Sequence, residues 1–184
     1  MRKLNIDLLN DLLLIEPDIF EDYRGKFYES YNKKIFDHLV GRDIHFLQDN
    51  CSISSQGTIR GLHFQRNNPQ AKLVRVLDGI ILDVAVDLRK DSKDFGQVEV
   101  VELSSDNNFI FWIPEGFAHG FQVISSSATV AYKVNNYWNS DDEYTLRFDD
   151  QDLNIKWDVI PKVLSNKDKQ GLSLKEITER GLLL

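Results

Sequence analysis

Cysteine is scarce in this chain of 184 residues and a surplus of basic residues is missing, and each of these features excludes a class of protein. The lone Cys51 cannot form a disulfide within the chain, so the sequence does not describe a disulfide-stapled scaffold. No partner signature surrounds Cys51 in its predicted strand, which favours a packed free thiol over a nucleophile. The 22 Lys and Arg residues face 29 Asp and Glu, and the resulting net charge of −7 disfavours nonspecific nucleic-acid binding.

Long apolar runs are also missing. No run approaches the roughly 20 residues that a membrane helix needs, and acidic residues interrupt the leucines of the N-terminal segment, which spoils a signal-peptide core. An apolar fraction of 42% with 28% charged residues is typical of a soluble globular protein. We therefore predict a single domain over residues 1–184, acting in the cytoplasm with neither a membrane nor a nucleic-acid partner.

Short β-patterned segments follow one another through the middle of the chain. We expect strands over residues 44–54, 58–65, 72–77, 80–88, 97–103, 109–113, 120–124 and 129–137. Asp78-Gly79 lies between two of them and indicates a hairpin, because glycine accepts the positive φ of a type I′ turn. Many short strands at near-regular spacing predict an all-β fold, an antiparallel sandwich or barrel of the jelly-roll kind.

Short peripheral elements flank these strands. The alternation of apolar and polar residues from Lys26 predicts an early strand. Asn32 is a suitable cap for a helix that runs to Val40 and ends at Gly41. Residues 173–176 have the sequence of a capping box, which predicts a short C-terminal helix.

Cationic and proton-transferring side chains occur in the strand-forming stretch 57–65 and on the strand after it. Alternation places His63 on one face of its strand with Gly61 and Gln65. From spacing alone, a structural histidine and a functional one are equally supported. Lys72, on the next strand, either serves the same site or extends to solvent.

A second motif, Pro114-x-Gly116-x-x-His119, resembles the second motif of the cupin superfamily, whose fold is a small double-sheet barrel with an internal site. In metal-binding cupins the first motif supplies two histidines and a glutamate. Here His63-Phe64-Gln65 offers one histidine, and Lys72 lies near the expected position of the acid. Two histidines without a nearby carboxylate make a poor three-ligand site, so we predict no catalytic metal and no cofactor.

Seven motifs in order span nearly the whole chain and are far more specific together than singly. They are Asp22-x-Arg24-Gly25-x-Phe27-x-Glu29, Gln48-Asp49-Asn50-x-Ser52, Gly57-Thr58-x-Arg60-Gly61-Leu62-His63-Phe64-Gln65, Gln70-Ala71-Lys72-Leu73-Val74, Asp83-Val84-x-Val86-Asp87-Leu88-Arg89, Ile113-Pro114-x-Gly116-Phe117-Ala118-His119-Gly120-Phe121 and Tyr132-Lys133. Together they resemble the dTDP-4-dehydrorhamnose 3,5-epimerase family. The resemblance implies a metal-free cupin-like jelly-roll barrel that converts dTDP-4-dehydro-6-deoxy-D-glucose to dTDP-4-dehydro-L-rhamnose, a precursor of cell-surface polysaccharide.

The resemblance also implies roles for individual residues. His63 matches the family's base, Asp168 the aspartate that orients it, Tyr132 the acid, and Lys72 the group that stabilises the enolate. The family's substrate-binding positions fall on Arg24, Phe27, Glu29, Gln48, Asn50, Arg60, Lys72, His119, Trp138, Glu143 and Lys169. Arg24 and Arg60 suit a diphosphate, since guanidinium groups bind phosphate oxygens bidentately. Trp138 matches an aromatic position that stacks on thymine, and Lys169 replaces an arginine common in other members.

Family members are usually homodimers in which an exchanged N-terminal strand lends residues near Phe27 and Glu29 to the partner's site. The resemblance therefore implies a homodimer for this chain, with each site completed by the partner subunit. Without the resemblance, Tyr132 is more typical of a core residue, and Asp168 of a solvated turn.

Two alternatives stay open: an epimerase that inverts one carbon of a related nucleotide-linked 4-keto sugar, and a non-catalytic cupin that binds a sugar nucleotide. A metal-dependent cupin oxygenase is less favoured.

Overall fold

The computed structural model describes residues 1–4, 6 and 8–184, and its secondary structure is mainly β. The strands are β1 (Arg2–Lys3), β2 (Leu13–Glu16), β3 (Ile19–Asp22), β4 (Gly25–Tyr28), β5 (Gln48–Ser55), β6 (Ile59–Gln65), β7 (Lys72–Asp78), β8 (Ile80–Asp87), β9 (Val98–Ser104), β10 (Ile110–Ile113), β11 (Phe117–Val123), β12 (Ser127–Val134) and β13 (Glu143–Thr145). The helices are α1 (Lys33–Val40), α2 (Asn166–Lys169) and α3 (Leu174–Glu179).

Two main sheets carry the fold. One has six strands in the order β1-β2-β10-β7-β12-β5, and the other has five in the order β13-β6-β11-β8-β9. Every pairing between these strands is antiparallel, and β3 and β4 form a separate two-stranded hairpin. This arrangement confirms the predicted mostly β, double-sheet, cupin-like fold.

An apolar core lies between the two main sheets. Val74 and Phe111 come from the six-stranded sheet and Ile81 and Ala85 from the other, and all four side chains are fully buried. Tyr132 packs against this cluster from its edge. The core therefore fixes the distance between the sheets and supports the polar cavity described below.

Each main sheet is also partly covered on its outer face. On the six-stranded sheet, Phe36 of α1 packs edge-on against Trp112 with ring centroids 5.1 Å apart. On the other sheet, Ile177 of α3 packs in a buried cluster with Leu62 and Val84. These covers leave β5, an edge strand that pairs only with β12, open on its outer face.

The exposure of Cys51 corrects one prediction. We expected a packed thiol, but Cys51 is exposed on the outer face of β5, where Ile53 is 74% exposed as well. The reason is topological, because no other element of the described chain covers this end of the sheet. Strand periodicity alone does not reveal which face of an edge strand is covered.

The predicted peripheral elements are confirmed by their caps. The Asn32 side chain accepts a hydrogen bond from the backbone N–H of Ile35, and Gly41 ends α1 in the left-handed region with a φ of 79°. Ser173 and Glu176 form the expected capping box. The Asp78-Gly79 turn is present, with a Gly79 φ of 84°, but the predicted hairpin is wrong. β7 belongs to the six-stranded sheet and β8 to the five-stranded sheet, so the turn carries the chain from one sheet to the other.

Three strand boundaries differ from the predictions by three or four residues, the other predicted boundaries differ by at most two, and one helix was not predicted. The strand expected over residues 44–54 begins at Gln48, the one over 129–137 ends at Val134, and the one over 120–124 begins at Phe117. Residues 44–47 run irregularly, since Phe46 turns to pack on Phe36 with ring centroids 5.5 Å apart. The four-residue helix α2 was not predicted, because it is too short to show a 3.6-residue period.

In the described part of the chain, no helix has the length and apolar character needed to cross a membrane.

Candidate active site

A polar cavity of about 510 Å³ lies between the two main sheets, beside the apolar core. The predicted site residues that line it are Gln48, Asn50, Arg60, His63, Lys72, His119, Tyr132, Trp138, Glu143 and Asp168. They come from strands of both sheets, from the segment after β12 and from α2. The fold thus gathers residues that are more than 100 positions apart in the chain around one space.

The first of two histidine–aspartate pairs joins β6 to α2. His63 Nε2 lies 2.6 Å from Asp168 Oδ1, and the Asp168 side chain is only 4% exposed. The helix is fixed by its cap, since Ser165 Oγ accepts from the Asp168 backbone N–H at 3.1 Å. A carboxylate can only accept, so Nε2 carries the proton and Nδ1 of the neutral ring is left as the acceptor. Burial is the largest single influence and acts to raise the pKa of Asp168. The hydrogen bond and charge of His63, with smaller contributions from Ser165 and Lys167, together outweigh burial and lower that pKa.

The second pair lies wholly within the five-stranded sheet. His119 Nε2, on β11, lies 2.8 and 3.0 Å from the two carboxylate oxygens of Asp83 on β8, and both side chains are buried. Burial lowers the pKa of His119, so its ring is neutral near pH 7. Asp83 was missed as a site residue by the sequence analysis. The available signal was an acid at an inward position of an otherwise apolar strand, where an isolated charge is costly.

Two glycines bring the histidine-bearing strands together. His63 and His119 are direct partners in the β6–β11 ladder. A Cβ atom on Gly61 would lie 2.6 Å from the Cα of Gly120, and one on Gly120 would lie 2.5 Å from the Arg60 carbonyl oxygen. Because no side chain fits at either place, the glycines permit the close approach that sets the two rings side by side.

Lys72 supplies a buried cation to the cavity. Its Nζ donates to the His63 carbonyl oxygen at 3.3 Å, and the residue is 6% exposed, so it does not extend to solvent. Burial lowers its pKa to about 8, while the carboxylates of Glu143 and Asp83 partly oppose that shift. The amine therefore stays mainly protonated at pH 7.

Tyr132 places a phenol in the same cavity. It lies on β12, opposite Asn50 in the ladder with β5, and is half-buried. Burial raises its pKa above the ordinary value, and the charge of Glu143 adds to the effect. The phenol therefore holds its proton at neutral pH and is able to donate it.

Glu143 and Trp138 form another part of the wall. Glu143 forms an ion pair with Lys167, and its Oε1 lies 3.8 Å from His63 Nδ1. Burial acts to raise the Glu143 pKa, but the hydrogen bonds from Lys167 and Trp138 lower it overall. Trp138 is 56% exposed, and its backbone N–H donates to Gln48 Oε1 at 3.2 Å. An indole is thus held in place with much of its surface free for stacking.

Gln65 has a structural role that the sequence did not indicate. Its side-chain amide donates to the carbonyl oxygens of Asn68 at 2.8 Å and Tyr137 at 3.2 Å. Its Oε1 accepts from the Asn139 backbone N–H at 2.8 Å. The amide that occupies a cupin ligand position therefore ties two loops together at the edge of the cavity.

Four predicted binding residues are not among those that line the cavity. Arg24 and Phe27 lie on the β3–β4 hairpin, where Arg24 pairs with Asp22 and Phe27 is 70% exposed. Glu29 follows the hairpin and accepts from Asn32 Nδ2 at 3.1 Å. Lys169 is exposed at the end of α2.

The described residues do not form a cluster of metal ligands. Within residues 1–4, 6 and 8–184, no three or more His, Cys, Asp and Glu side chains cluster in a way that could hold a metal ion. The two cavity histidines instead direct their Nε2 atoms to aspartates of their own. The absence of a catalytic metal stays a prediction.

Comparison with known proteins agrees with this geometry. Residues 7–176 match the family model described as dTDP-4-dehydrorhamnose 3,5-epimerase. The chain is 48% identical over 162 residues to dTDP-4-dehydrorhamnose 3,5-epimerase of Shigella flexneri, which covers 88% of this chain and 90% of that protein.

Solved structures are similar over nearly the full length. A crystal structure of dTDP-6-deoxy-D-glucose-3,5-epimerase from Legionella pneumophila in complex with dTDP-4-keto-L-rhamnose has a TM-score of 0.94 and 43% identity, covering 99% of this chain and 96% of that one. A 3'-monoepimerase from Streptomyces bikiniensis in complex with dTDP-quinovose has a TM-score of 0.90 and 31% identity, covering 100% and 92%.

The double-sheet fold with a polar cavity between its sheets defines a cupin-like class. Within that class, the chain belongs to the dTDP-4-dehydrorhamnose 3,5-epimerase family. This membership confirms the resemblance that the seven motifs indicated.

Proposed function

We propose that this protein is an epimerase of rhamnose biosynthesis that inverts C3 and C5 of dTDP-4-dehydro-6-deoxy-D-glucose to give dTDP-4-dehydro-L-rhamnose. The observation that carries the proposal is one cavity containing a carboxylate-bound imidazole, a buried ammonium and a protonated phenol. These are the groups of His63, Lys72 and Tyr132. Their three functions match the needs of proton transfer beside a ketone.

His63 is the proposed base. Its Nδ1 takes the proton from a carbon next to the ketone, and the electron pair of that C–H bond moves into an enolate. Asp168, which binds the other ring nitrogen, orients the imidazole and stabilises the imidazolium that forms. A positioned acid or base of this kind typically contributes about 10²–10⁴-fold to the rate.

Lys72 and Tyr132 complete the step. The Lys72 ammonium stabilises the negative charge on the enolate oxygen, a contribution of about 2.7–4 kcal/mol for a well-placed donor. Tyr132 returns a proton to the carbon from the opposite face, which inverts its configuration. Between inversions the His63 imidazolium releases its proton to water and the Tyr132 phenolate regains one from water. The same transfers then act at the second carbon, because C3 and C5 both adjoin the C4 ketone.

The proposed nucleotide-binding residues include Arg60 and Trp138 at the cavity wall. The guanidinium group of Arg60 suits the diphosphate, and the exposed indole of Trp138 suits the face of thymine. Gln48, Asn50, His119 and Glu143 are proposed as polar contacts to the sugar nucleotide. Lys169 lies one residue from Asp168 and is proposed to reach the nucleotide from α2.

A homodimer is part of the proposal. The β3–β4 hairpin pairs with neither main sheet, and it exposes Phe20 by 66%, Tyr23 by 97% and Phe27 by 70%. Such an apolar hairpin is suited to burial against a second copy. We propose that exchange of the hairpin brings Arg24, Phe27 and Glu29 to the partner's cavity. Sedimentation should then give a dimer mass, and a chain that sediments as a monomer at micromolar concentration would contradict this part.

We also propose that the protein acts in the cytoplasm. The free, exposed thiol of Cys51 suits a reducing compartment.

The reaction is tested by incubation with the 4-keto-6-deoxy sugar nucleotide in deuterated water. Two deuterium atoms per product, one at C3 and one at C5, are expected. A single deuterium would instead indicate a one-carbon epimerase, the activity named for the Streptomyces bikiniensis relative. Binding without any exchange would reject catalysis and support a non-catalytic cupin.

A further inference from the structure

An unpartnered hydroxyl interrupts a row of bonded polar side chains on β5. Gln48, Asn50, Ser52 and Ser54 point inward from this strand, since alternate residues share a face. Gln48 Nε2 donates to Asn50 Oδ1 at 2.8 Å, and Arg60 Nε donates to Ser54 Oγ at 2.9 Å. Ser52 lies between the two bonded pairs, and its buried Oγ has no hydrogen-bond partner among the residues that the structure describes.

The position of this hydroxyl separates it from an ordinary packing defect. A buried polar group without a partner is unfavourable for folding, because its hydrogen bonds to water are lost and not replaced. In the described residues, Thr145 Oγ1 is in the same state. Ser52, however, lines the cavity, whereas Thr145 is not among the lining residues. A ligand in the cavity is therefore able to satisfy Ser52 and not Thr145.

The neighbouring cation indicates the chemistry of that ligand. Arg60 lines the cavity beside Ser52, and its Nε is engaged by Ser54. This contact holds the guanidinium group at the β5 wall while its terminal amino groups stay available. A guanidinium group next to a hydroxyl donor is a suitable pair for phosphoryl oxygens.

We infer that Ser52 is a substrate-binding residue whose hydroxyl donates to a phosphoryl oxygen of a nucleoside diphosphate held between Arg60 and β5. The inference rests on the proposed nucleotide-sugar function and adds a contact to it. Ligand binding supplies the partner that the folded chain alone does not provide.

The test compares Ser52→Ala with the matched control Thr145→Val, since each variant removes one unpartnered buried hydroxyl. Binding of dTDP is measured by calorimetry, and thermal unfolding is measured without ligand. Ser52→Ala should bind dTDP about tenfold more weakly, the lower end for a hydrogen bond to a charged group, and Thr145→Val should bind like the wild type. Neither variant should unfold at a lower temperature than the wild type when ligand is absent.

Three outcomes would overturn the inference. Equal dTDP affinity of Ser52→Ala and the wild type would show that the hydroxyl makes no phosphate contact, and the proposed function would stand. A lower unfolding temperature of ligand-free Ser52→Ala would show a structural role instead. A wild-type protein that does not bind dTDP at all would overturn this inference together with the proposed function.

Discussion

The two histidine–aspartate pairs share one hydrogen-bond pattern and differ in almost everything around it. In both, Nε2 of the ring meets a carboxylate at 2.6–2.8 Å. The His63 side chain is 28% exposed and that of His119 only 7%. Asp168 comes from a short helix near the C-terminus, whereas Asp83 lies in the middle of a buried strand. One pair is therefore open to a substrate, and the other is part of the sheet.

The difference shows how one arrangement of atoms serves two purposes. An open imidazole exchanges protons with a substrate while its aspartate stabilises the charged form. A buried imidazole with a lowered pKa stays neutral, so it is suited to fixed hydrogen bonding. Substitutions at the two rings and at the two aspartates should separate these purposes.

The largest difference is expected between the two rings themselves. His63→Ala should lower the rate of deuterium exchange by about 10²–10⁴-fold, since it removes the proposed base. His119→Gln should lower the exchange rate by only about tenfold, which corresponds to the loss of one hydrogen bond. The measurement is deuterium incorporation into the sugar nucleotide, with dTDP binding as the control for an intact site. Wild-type exchange by His63→Ala would show that the base is elsewhere.

The two aspartates should differ in stability rather than in rate. Asp83→Ala leaves the buried His119 Nε2–H without a partner, and this should cost about 1–3 kcal/mol of unfolding free energy. Asp168→Ala should lower the unfolding free energy less, because water can reach the partly exposed His63 ring. The same variant should lose most of the exchange activity. Denaturant unfolding at pH 7 measures the first effect. Equal destabilisation by both variants would mean that the pairs do not differ as described.

The smallest effect expected is a pH dependence caused by Lys72. Its pKa is lowered by burial to about 8, so the enolate-stabilising ammonium, and with it the exchange rate, should be lost as the pH rises through 8. The free energy of unfolding should rise with pH between about pH 8 and 10.4. In that range the unfolded chain still holds the lysine proton, whereas the folded chain has released it. Lys72→Met should remove both trends. A wild-type rate that stays flat from pH 7 to 9 would contradict the assignment.

Local signals predicted the parts of the fold that depend on neighbouring residues. Asn32 and Gly41 bounded α1 correctly, because a cap acts on the turn next to it. No local signal could place Asp168 against His63, since a four-residue helix has no period and the pair is 105 residues apart. Only the family resemblance identified that aspartate. Cys51 was wrongly expected to be packed, because its exposure depends on which other elements reach β5.

The site residues show the same division. Strand alternation placed His63 on one face of its strand with Gly61 and Gln65, but it did not give the partner that fixes the histidine tautomer. Asp83 belonged to a recognised motif, yet its bond to His119 depends on the pairing of β8 with β11, which no local signal gives. Ser52 belonged to another motif, and only the fold shows that its hydroxyl is buried without a partner in the described chain. The predicted roles of Arg24, Phe27 and Glu29 depend on a second copy, so a single chain leaves them as predictions.

Strand β5 has a further consequence for how this protein tolerates change. Its polar residues Gln48 and Asn50 face the cavity, and Cys51 and Ile53 face outward. Because the side-chain period of a strand is two, inserting or deleting one residue at the start of β5 would exchange the two sets of side chains. The cavity would receive a thiol and a branched alkyl group, and the outer surface would receive amides. Length changes within these eight residues are therefore expected to be more damaging than most single substitutions there.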